Sequence, residues 1–556
     1  MSAQIMHEVM PMDRLLPVVM MAGALLLTAA ARAAAPGITG PTFNLTAQTA
    51  YLNQPDGNQV YSWGYGCNGA PTGFAPTLPN QNCPAMQVPG PTLIVHEGDT
   101  VTVNLANGLP NPAGNTSILF PDFSVTTSCT AATAVGVVGL LTCEAAPGGT
   151  VTYTFTATTP GTHAYYSGTQ GDLQIEMGLY GAIIVLPAHV PAVCNSGVHA
   201  QNVIAQSTAS LVHPGVAETD FRLAHAAYDH PGSCYDREYL FQFAAMDLSI
   251  HRQALAQVTA LAGCAAGAVG CSLLVPTEPY HPNYFVINGR SMPDDMDPNF
   301  DGVYPHQPYN GNPHMHPGED VLVRVIGQGR WQHPFHEHGN HVRILGRDGN
   351  LIKSVSDTYS PTAQTGTAAL AGPLLFTTTT TPGQAFDGIF YWTGRGLNWD
   401  AYGHNPASAD SSAKVTCKPD ANGYNTGVGA TTDTSVPLAI NYFEWCQDHN
   451  KPLQAAPFGD VPGGGPATLP DPNIMTNGAW YGGSPYLGPD ATNRATGPTS
   501  VQLPSNSQAN PANERGYAFM WHSHNEREIT TNNVFPGGMF MMMLVDSREF
   551  VIDESN

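Results

Sequence analysis

The chain has 556 residues, more than one hydrophobic core normally serves, so two or three domains are expected. Acidic residues outnumber Lys and Arg by 42 to 19, which gives a net charge of −23. Such a surface repels phosphate backbones and anionic membranes, so we expect no nucleic acid partner. The 58 Gly and 48 Pro residues favour short strands and turns over long helices.

The N-terminal segment predicts a secretory signal peptide at residues 1–33. An Arg precedes an apolar run from Leu15 to Ala31, and Ala31-Arg32-Ala33 follows as a cleavage pattern. A membrane anchor is the weaker interpretation, because the run is short and ends at this processing-like pattern. No other stretch is long and apolar enough to span a bilayer. We therefore expect a periplasmic or extracellular protein with no membrane span.

All ten cysteines follow the predicted leader, and they fall into neighbouring pairs. An even count in an exported chain indicates disulfides, and no pair has the Cys-x-x-Cys spacing of a zinc or redox site. Connectivity rests on proximity alone. The predicted pairs are Cys67 with Cys83, Cys129 with Cys143, Cys194 with Cys234, Cys264 with Cys271, and Cys417 with Cys446.

Three kinds of segment occur twice along the chain, which indicates an internal repeat. "EGDTVTVNLANGL" is matched by "GEDVLVRVIGQG", "PGTHAYYSGTQ" by "RGYAFMWHSHN", and "MGLYGAIIVLP" by "PGGMFMMMLVD". All of these read as strands and turns, so two related β-domains are predicted, at residues 38–190 and 198–556. Only "SIHRQALAQVTALAGCAAGA" reads as a helix, and a short one. Residues from about 396 to 515 have little periodicity and are predicted to be an irregular insertion in the second domain.

Two histidine pairs carry the strongest chemical signal. "QHPFHEHGNHVRIL" places His336 and His338 on one face of a predicted strand, and "WHSHNERE" does the same for His522 and His524, with Ser523 on the opposite face. Neutral imidazoles at alternate positions are how a β-protein presents nitrogen ligands to copper or zinc. If the two strands are neighbours, four imidazoles converge.

These motifs resemble the multicopper oxidase superfamily, in which a His-Pro-x-His-x-His-Gly motif and a late His-Cys-His motif build the copper centres. The resemblance rests on "HPFHEHGN" with "WHSHNERE…FPGGM". It extends to "PGPTLIVHEGDTVTVNL" and "GLYGAIIV" for a first cupredoxin domain, and to "REYLFQF", "INGR" and "GEDVLVRVIGQG" for the later domain of two-domain members. It implies an all-β fold of tandem cupredoxin-like Greek-key β-sandwich domains, copper as cofactor, and a homotrimer.

The sequence departs from this family at several ligand positions. Ser523 stands where the family has the cysteine of its blue type 1 copper site, and a serine hydroxyl is not a thiolate ligand. Arg527 stands at the place we assign to a further late histidine, and His333 matches the remaining type 1 histidine. In the first domain, "TSILFPDF" and "YYSG" replace the family's two histidine pairs, so half of the eight histidines of a trinuclear cluster are missing. The positions concerned are Leu119, Pro121, Tyr166 and Gly168.

The residues that remain predict a mononuclear site with His336, His338, His522 and His524 as metal ligands. We expect one copper per chain, with zinc as the alternative metal. Glu337, His333 and Glu526 border the pairs and are candidates for orienting the imidazoles, since ligating histidines usually have such partners. The competing interpretation is that these histidines are hydrogen-bonded within a core.

Two other groups of residues are interpreted structurally. "NPHMHPG" places His314, Met315 and His316 on a Pro-bounded loop, which we expect to be exposed rather than to bind copper. The methionine run at 539, 541, 542 and 543 is expected to fill the core beside a closing strand.

Three functions follow as hypotheses. The first is a copper-dependent oxidoreductase that acts on oxygen, peroxide or a small oxyanion but is not a laccase, because the blue site is missing. The second is a copper-binding or buffering protein without turnover, which would have a closed metal site. The third is an extracellular scaffold that binds no metal.

Overall fold

The computed structural model describes residues 35–395, except 79, 130–135, 198 and 200–221, together with 419–424, 445, 483–486, 516–546 and 552. The predicted leader at 1–33 and most of the predicted insertion at 396–515 lie outside these residues. The domain boundaries 38–190 and 198–556 remain predictions, because the junction is only partly described.

The first half of the chain forms a β-sandwich of two five-stranded sheets and a small hairpin. One sheet has the order β4-β1-β5-β12-β11, the other has the order β3-β2-β6-β10-β7, and β8 pairs with β9. The strands are β1 (Gly37–Thr39), β2 (Thr42–Asn53), β3 (Gln59–Cys67), β4 (Phe74–Ala75), β5 (Leu93–His96), β6 (Thr100–Asn107), β7 (Thr126–Thr127), β8 (Val137–Val138), β9 (Cys143–Glu144), β10 (Thr150–Thr156), β11 (Gly161–Tyr166) and β12 (Tyr180–Leu186). Alternate residues such as Val101, Val103 and Leu105 point into the shared core.

The second half forms a larger sandwich of a seven-stranded and a six-stranded sheet. The first has the order β14-β13-β16-β22-β18-β19 with β20 on β18, and the second has β15-β25-β24-β17-β21 with β23 on β24. The strands are β13 (Arg237–Met246), β14 (Tyr284–Ile287), β15 (His314–Met315), β16 (Asp320–Gly327), β17 (His333–Glu337), β18 (Val342–Arg347), β19 (Asn350–Leu351), β20 (Leu374–Leu375), β21 (Thr377–Thr380), β22 (Ala385–Tyr391), β23 (Gly483–Tyr486), β24 (Gly516–Ser523) and β25 (Phe540–Asp546). Both sheets contribute aromatic and aliphatic side chains to one core.

Helices are few among the described residues. They are α1 (Gly171–Gln174) and α2 (Leu248–Ala260), with 3-10 turns at Asn111–Ala113, Ala192–Asn195, Pro231–Ser233 and Asp294–Met296. The N-cap of α2 is Asp247, whose carboxylate accepts a hydrogen bond from the backbone N–H of Ser249. Helix α2 lies in the segment that was predicted to be a short helix, so this prediction is confirmed. Within the described ranges, no helix has the length and apolar character needed to cross a membrane.

The two sandwiches repeat the same strand pairing. In the first, β2 runs parallel to β6, β6 pairs antiparallel with β10, and β11 pairs antiparallel with β12. In the second, β13 runs parallel to β16, β16 pairs antiparallel with β22, and β24 pairs antiparallel with β25. The repeated segments of the sequence are therefore equivalent strands, and the prediction of an all-β chain with two related sandwiches is confirmed.

A buried polar network joins the two sandwiches. The carboxylate of Asp387, on β22, accepts hydrogen bonds from the hydroxyl of Thr162 on β11 (2.5 Å) and from the hydroxyl of Tyr228 (2.7 Å). Arg324, on β16, donates to Thr162 at 3.1 Å and to Glu238 at 2.9 Å. All of these side chains are buried, so the network fixes the contact between the two halves without access to water.

Four of the five predicted disulfides are present. They join Cys67 to Cys83, Cys129 to Cys143, Cys194 to Cys234 and Cys264 to Cys271. The fifth predicted pair, Cys417 with Cys446, lies outside the described residues. Three of them join cysteines 7 to 16 residues apart, and Cys194–Cys234 joins cysteines 40 residues apart. All four are the pairs that proximity in sequence predicted.

The expectation of an exposed loop at "NPHMHPG" is wrong. His314, Met315 and His316 are buried, and His314 and Met315 form β15, which pairs with β25. The Nδ1 atom of His314 lies 2.7 Å from the carboxylate of Asp546, and Nδ1 of His316 lies 3.0 Å from the Asp546 carbonyl oxygen. Two prolines and a glycine suggested a surface turn, but parallel pairing with the closing strand outweighs them. The methionines at 539, 541 and 543 are buried in the core, as predicted, and Met542 is half-buried and packs against it.

Candidate metal centre

Strands β17 and β24 are antiparallel neighbours, and their register brings the two histidine pairs together. His336 lies directly opposite His522, Phe335 opposite Ser523, and Glu337 opposite Trp521. Directly opposed residues on one face of a sheet have their Cβ atoms about 5 Å apart. The two strands that carry the histidine pairs are therefore neighbours, which the sequence could only suggest. Their pairing places all four imidazoles at one end of the sandwich.

The four rings form a compact cluster. The ring centroid of His336 lies 4.8 Å from that of His338 and 4.7 Å from that of His524. The centroid of His522 lies 5.1 Å from that of His338 and 5.9 Å from that of His524. Ring nitrogens of His336, His338 and His522 lie within 4.8 Å of one another. These three residues have the spacing of a metal-ligand set, and His524 lies beside them.

The closest nitrogens fit a shared metal ion. The Nε2 atoms of His338 and His522 are 3.2 Å apart. Two imidazole nitrogens at about 2.0 Å from one tetrahedral metal ion are separated by about 3.3 Å, so the observed distance matches the edge of such a coordination sphere. A fourth imidazole close by completes a donor set that suits copper or zinc.

Hydrogen bonds from the opposite ring nitrogens orient two of the imidazoles. Nδ1 of His522 lies 2.7 Å from the carbonyl oxygen of Ser523, which accepts its proton, so Nε2 carries the lone pair that faces His338. Nδ1 of His336 lies 2.6 Å from the hydroxyl of Thr377 on β21. The indole N–H of Trp521 donates to the backbone carbonyl of His338 at 3.1 Å and holds the end of β17. Such orienting bonds are typical of metal-binding histidines.

The cluster environment favours neutral imidazoles. Burial, together with the neighbouring His338, His522 and His524 rings, lowers the pKa of His336 to about 4. Burial also lowers the pKa of His522, although the bond to Ser523 and the charge of Glu526 act in the opposite direction. Since only neutral imidazole binds a metal ion, both residues are ready ligands at pH 7.

Exposure changes across the cluster. His336 and His338 are buried, with 5% and 8% of their surface exposed, whereas His522 is half-buried and His524 is exposed. The cluster therefore opens to solvent on the His524 side.

The three flanking residues predicted to orient the imidazoles differ in their positions. Glu337 is completely buried on the core face of β17, where burial raises the pKa of its carboxyl well above the ordinary value. No described residue donates a hydrogen bond to that carboxyl. Glu526 is exposed and acts on His522 through its charge. His333 is buried outside the imidazole cluster and contacts Glu528 instead.

Arg527 was assigned to the position of a further late histidine, but Glu528 is the residue that lies beside His333 and Ser523. Its carboxylate accepts a hydrogen bond from the Ser523 hydroxyl at 2.5 Å and lies 2.9 Å from Nδ1 of His333. The Asn525 amide donates to it at 2.9 Å. Arg527 is exposed and donates to Asn533 and to the carbonyl of Pro282. A five-residue spacing counted from Ser523, rather than from His522, would have reached Glu528.

The equivalent position in the first sandwich has no imidazole. Leu119 and Tyr166 form a β-bridge there, with the Leu119 N–H donating to the Tyr166 carbonyl at 2.7 Å. Tyr166 ends β11 as His522 nearly ends β24, so this bridge is the counterpart of the His336–His522 pair. The donor set is present in the second sandwich and is replaced in the first, as predicted.

Fold and site together define a two-sandwich β-protein with a histidine cluster at the end of one sandwich. Residues 84–189 match the family model described as multicopper oxidase. Over these residues the chain is similar to multicopper oxidases. The matched residues lie in the first sandwich, so the match does not include the imidazole cluster of the second.

Curated relatives match the chain over about one hundred residues. The L-ascorbate oxidase of Brassica rapa subsp. pekinensis is 38% identical over 99 residues, which are 18% of this chain and 16% of that protein. Laccase-3 of Botryotinia fuckeliana is 38% identical over 100 residues, 17% of this chain and 20% of that protein. A copper-containing nitrite reductase of Pseudomonas chlororaphis is 37% identical over 102 residues, 18% and 25% of the two chains. The matched part is thus a quarter or less of each relative.

The solved structure of a blue copper oxidase from Nitrosomonas europaea is similar over more of the chain. It is 14% identical and has a TM-score of 0.41, covering 91% of this chain and 85% of that one.

Proposed function

We propose that the protein is an exported copper-binding member of the multicopper oxidase family with one non-blue copper per chain. His336, His338 and His522 would bind the ion, and His524 would be the fourth ligand. The observation that carries this proposal is the register of β17 and β24, which opposes His336 to His522 and sets two Nε2 atoms 3.2 Å apart. Four disulfides among the described residues are typical of an oxidising compartment and support export.

Bound copper would supply one-electron redox chemistry and Lewis acidity at the cluster. The chain's own residues would bind the ion, fix the His522 tautomer through the Ser523 carbonyl, and leave the His524 side accessible to a small molecule. Oxygen, peroxide or a small oxyanion fits such an opening. Laccase chemistry is not proposed, because Ser523 donates to Glu528 where a thiolate would be required.

The test is metal content and electron paramagnetic resonance of the purified protein after copper loading. We expect about one copper per chain with a non-blue spectrum, and a loss of at least about tenfold in affinity in H338A, because one of three close ligands is removed. The matched control is H96A, which removes an exposed histidine of the first sandwich and should keep the full copper content.

Three outcomes would contradict parts of the proposal. Undiminished copper in H338A would place the metal elsewhere, and no bound copper in the wild-type protein would leave the scaffold hypothesis. If zinc bound in preference to copper when both are present, the site would be a zinc site and not a copper site. Copper binding without oxygen or peroxide turnover would favour the buffering protein over the oxidoreductase.

A further inference from the structure

A second cluster of potential metal ligands lies on the opposite sheet of the second sandwich. A ring nitrogen of His199 and carboxylate oxygens of Asp236 and Asp320 lie within 4.8 Å of one another. The three residues are far apart in sequence and form no motif. None of them belongs to the imidazole cluster of β17 and β24.

Parallel strand pairing brings the two carboxylates together. Asp236 immediately precedes β13, Asp320 begins β16, and the register pairs Arg237 with Val321. The backbone N–H of Asp236 donates to the carbonyl of Asp320 at 2.7 Å, and the N–H of Asp320 donates to the carboxylate of Asp236 at 2.9 Å. The like ends of two parallel strands therefore hold two acidic side chains at the same level, where like charges repel.

The two carboxylates differ in their surroundings. Asp236 is buried, and its carboxylate lies 2.9 Å from Nδ1 of His199. No described residue donates a hydrogen bond or forms an ion pair with the Asp320 carboxyl. Burial and the Asp236 charge raise the pKa of Asp320 to about 7. A divalent cation would relieve the repulsion that the geometry imposes.

A cavity of about 410 Å³ adjoins the cluster and gives an ion access and room for water ligands. His199 and Asp320 line it together with His341, Arg343 and Tyr391. One imidazole and two carboxylates with open coordination positions suit a borderline divalent ion such as Zn²⁺ or Mn²⁺ better than Ca²⁺ or Mg²⁺, which prefer oxygen ligands alone.

We propose that His199, Asp236 and Asp320 form a second metal site, for a divalent transition ion of the zinc or manganese type, independent of the copper cluster. The site needs no cofactor chemistry and no histidine of β17 or β24. Its ligands join the starts of two central strands to the segment that precedes the second sandwich.

The test is calorimetric titration of the copper-loaded protein with zinc chloride and, separately, manganese chloride, followed by metal analysis after gel filtration. We expect about one additional zinc or manganese per chain. D320N should weaken this binding at least about tenfold, whereas H338A, which removes a copper ligand, should retain it. The matched control is D172N, which neutralises an exposed carboxylate elsewhere and should bind as the wild type does.

Thermal unfolding separates a lost ligand from a damaged fold. Without added metal, D320N should unfold at the wild-type temperature or above it, because one of two repelling carboxylates is removed. With zinc or manganese, only the wild type, H338A and D172N should gain stability. No additional ion in the wild type, or equal binding by D320N, would overturn the proposal.

Discussion

Ser523 and its two neighbours show how alternation along one strand separates two environments. His522 and His524 belong to the imidazole cluster, while Ser523 points to the opposite face and bonds to Glu528. Glu528 also contacts His333, and the N–H of Met539 donates to its backbone carbonyl. A hydrogen-bonded carboxylate therefore occupies the place where the family resemblance implies a blue copper site.

Introducing a thiolate alone, in S523C, should not produce a blue copper site, because the Glu528 carboxylate would remain between this thiolate and His333. We expect the double variant S523C/E528H to offer a thiolate and two imidazoles, including His333, with Met539 close by, which is the ligand set of blue copper proteins. Copper loading of the double variant should produce an intense blue absorption, and copper loading of S523C should not. Visible absorption and electron paramagnetic resonance spectra measure this.

The matched control for that experiment is E528H alone, which lacks a thiolate and should stay colourless. A blue S523C variant would show that the Glu528 carboxylate does not prevent such a site.

His336 should make the metal-free protein sensitive to acid. Its pKa is lowered from 6.5 to about 4 by burial and by the neighbouring imidazoles, so the unfolded chain binds more protons than the folded one between these values. Stability should therefore be full above pH 6.5 and fall as the pH drops towards 4, with a contribution from His336 on the order of 2 kcal/mol.

Denaturant unfolding of metal-free protein at pH 7, 5.5 and 4 measures this loss. H336F should remove part of the pH dependence, and the exposed-site control H96F should leave it unchanged. An identical pH dependence in H336F and wild type would exclude His336 as the source.

For the strands, the pairing of β17 with β24 could be predicted from the sequence. The two His-x-His motifs alternate as strands do, and the second lies in one of the repeated segments. The position of Glu528 could not be predicted, because it lies in an irregular turn after β24 where no periodicity indicates which side chain turns inward. The burial of "NPHMHPG" was also missed, because parallel pairing with β25 depends on a strand more than two hundred residues away.

Gly339, two residues after the end of β17, has a conformation that few other residues adopt. Its φ is +99°, and a Cβ atom there would lie 2.9 Å from the ring of Phe519 on β24. G339A should therefore lower the free energy of unfolding by roughly 1–3 kcal/mol and weaken copper binding, because His338 immediately precedes it. Chemical denaturation and copper titration measure the two effects.

The control is G57A. Gly57 also has a positive φ, of +82°, but nothing lies within 4 Å of a Cβ atom built on it. G57A should cost less stability and leave copper binding unchanged; equal effects of the two substitutions would exclude the Phe519 contact as the cause.

At the scale of the whole molecule, the internal repeat predicted two sandwiches but not how they meet. The contact depends on Asp387 and Arg324, which lie on central strands, and on Thr162, which lies on the edge strand β11. These polar residues look solvent-facing in sequence and are buried. Only the folded chain brings them together. The proposed site of His199, Asp236 and Asp320 could not be predicted for the same reason, since these residues are far apart in sequence and strand pairing brings the two aspartates together.

Asp387 should be the most sensitive point of this contact. D387A leaves the buried Arg324 with one carboxylate partner instead of two and removes the acceptor of Thr162 and Tyr228, so it should cost about 3 kcal/mol in denaturant unfolding. The control E278Q breaks an ion pair with Arg330 whose Glu278 side chain is 72% exposed, and it should cost under about 1 kcal/mol. A small effect of D387A would show that the network does not hold the sandwiches together.

The gradient of exposure across the four imidazoles sets the kinetics of exchange. If the proposed site binds an ion, His336 and His338 are its buried ligands and His522 is half-buried, so we expect the ion to exchange on the side of exposed His524. Uptake and release should therefore occur on the same side, and the lifetime of a bound ion should depend chiefly on how long His524 stays bound to it. A chelator too bulky to pass His524 would strip the ion slowly even where its affinity is far higher, so retention is governed by access as well as by binding strength.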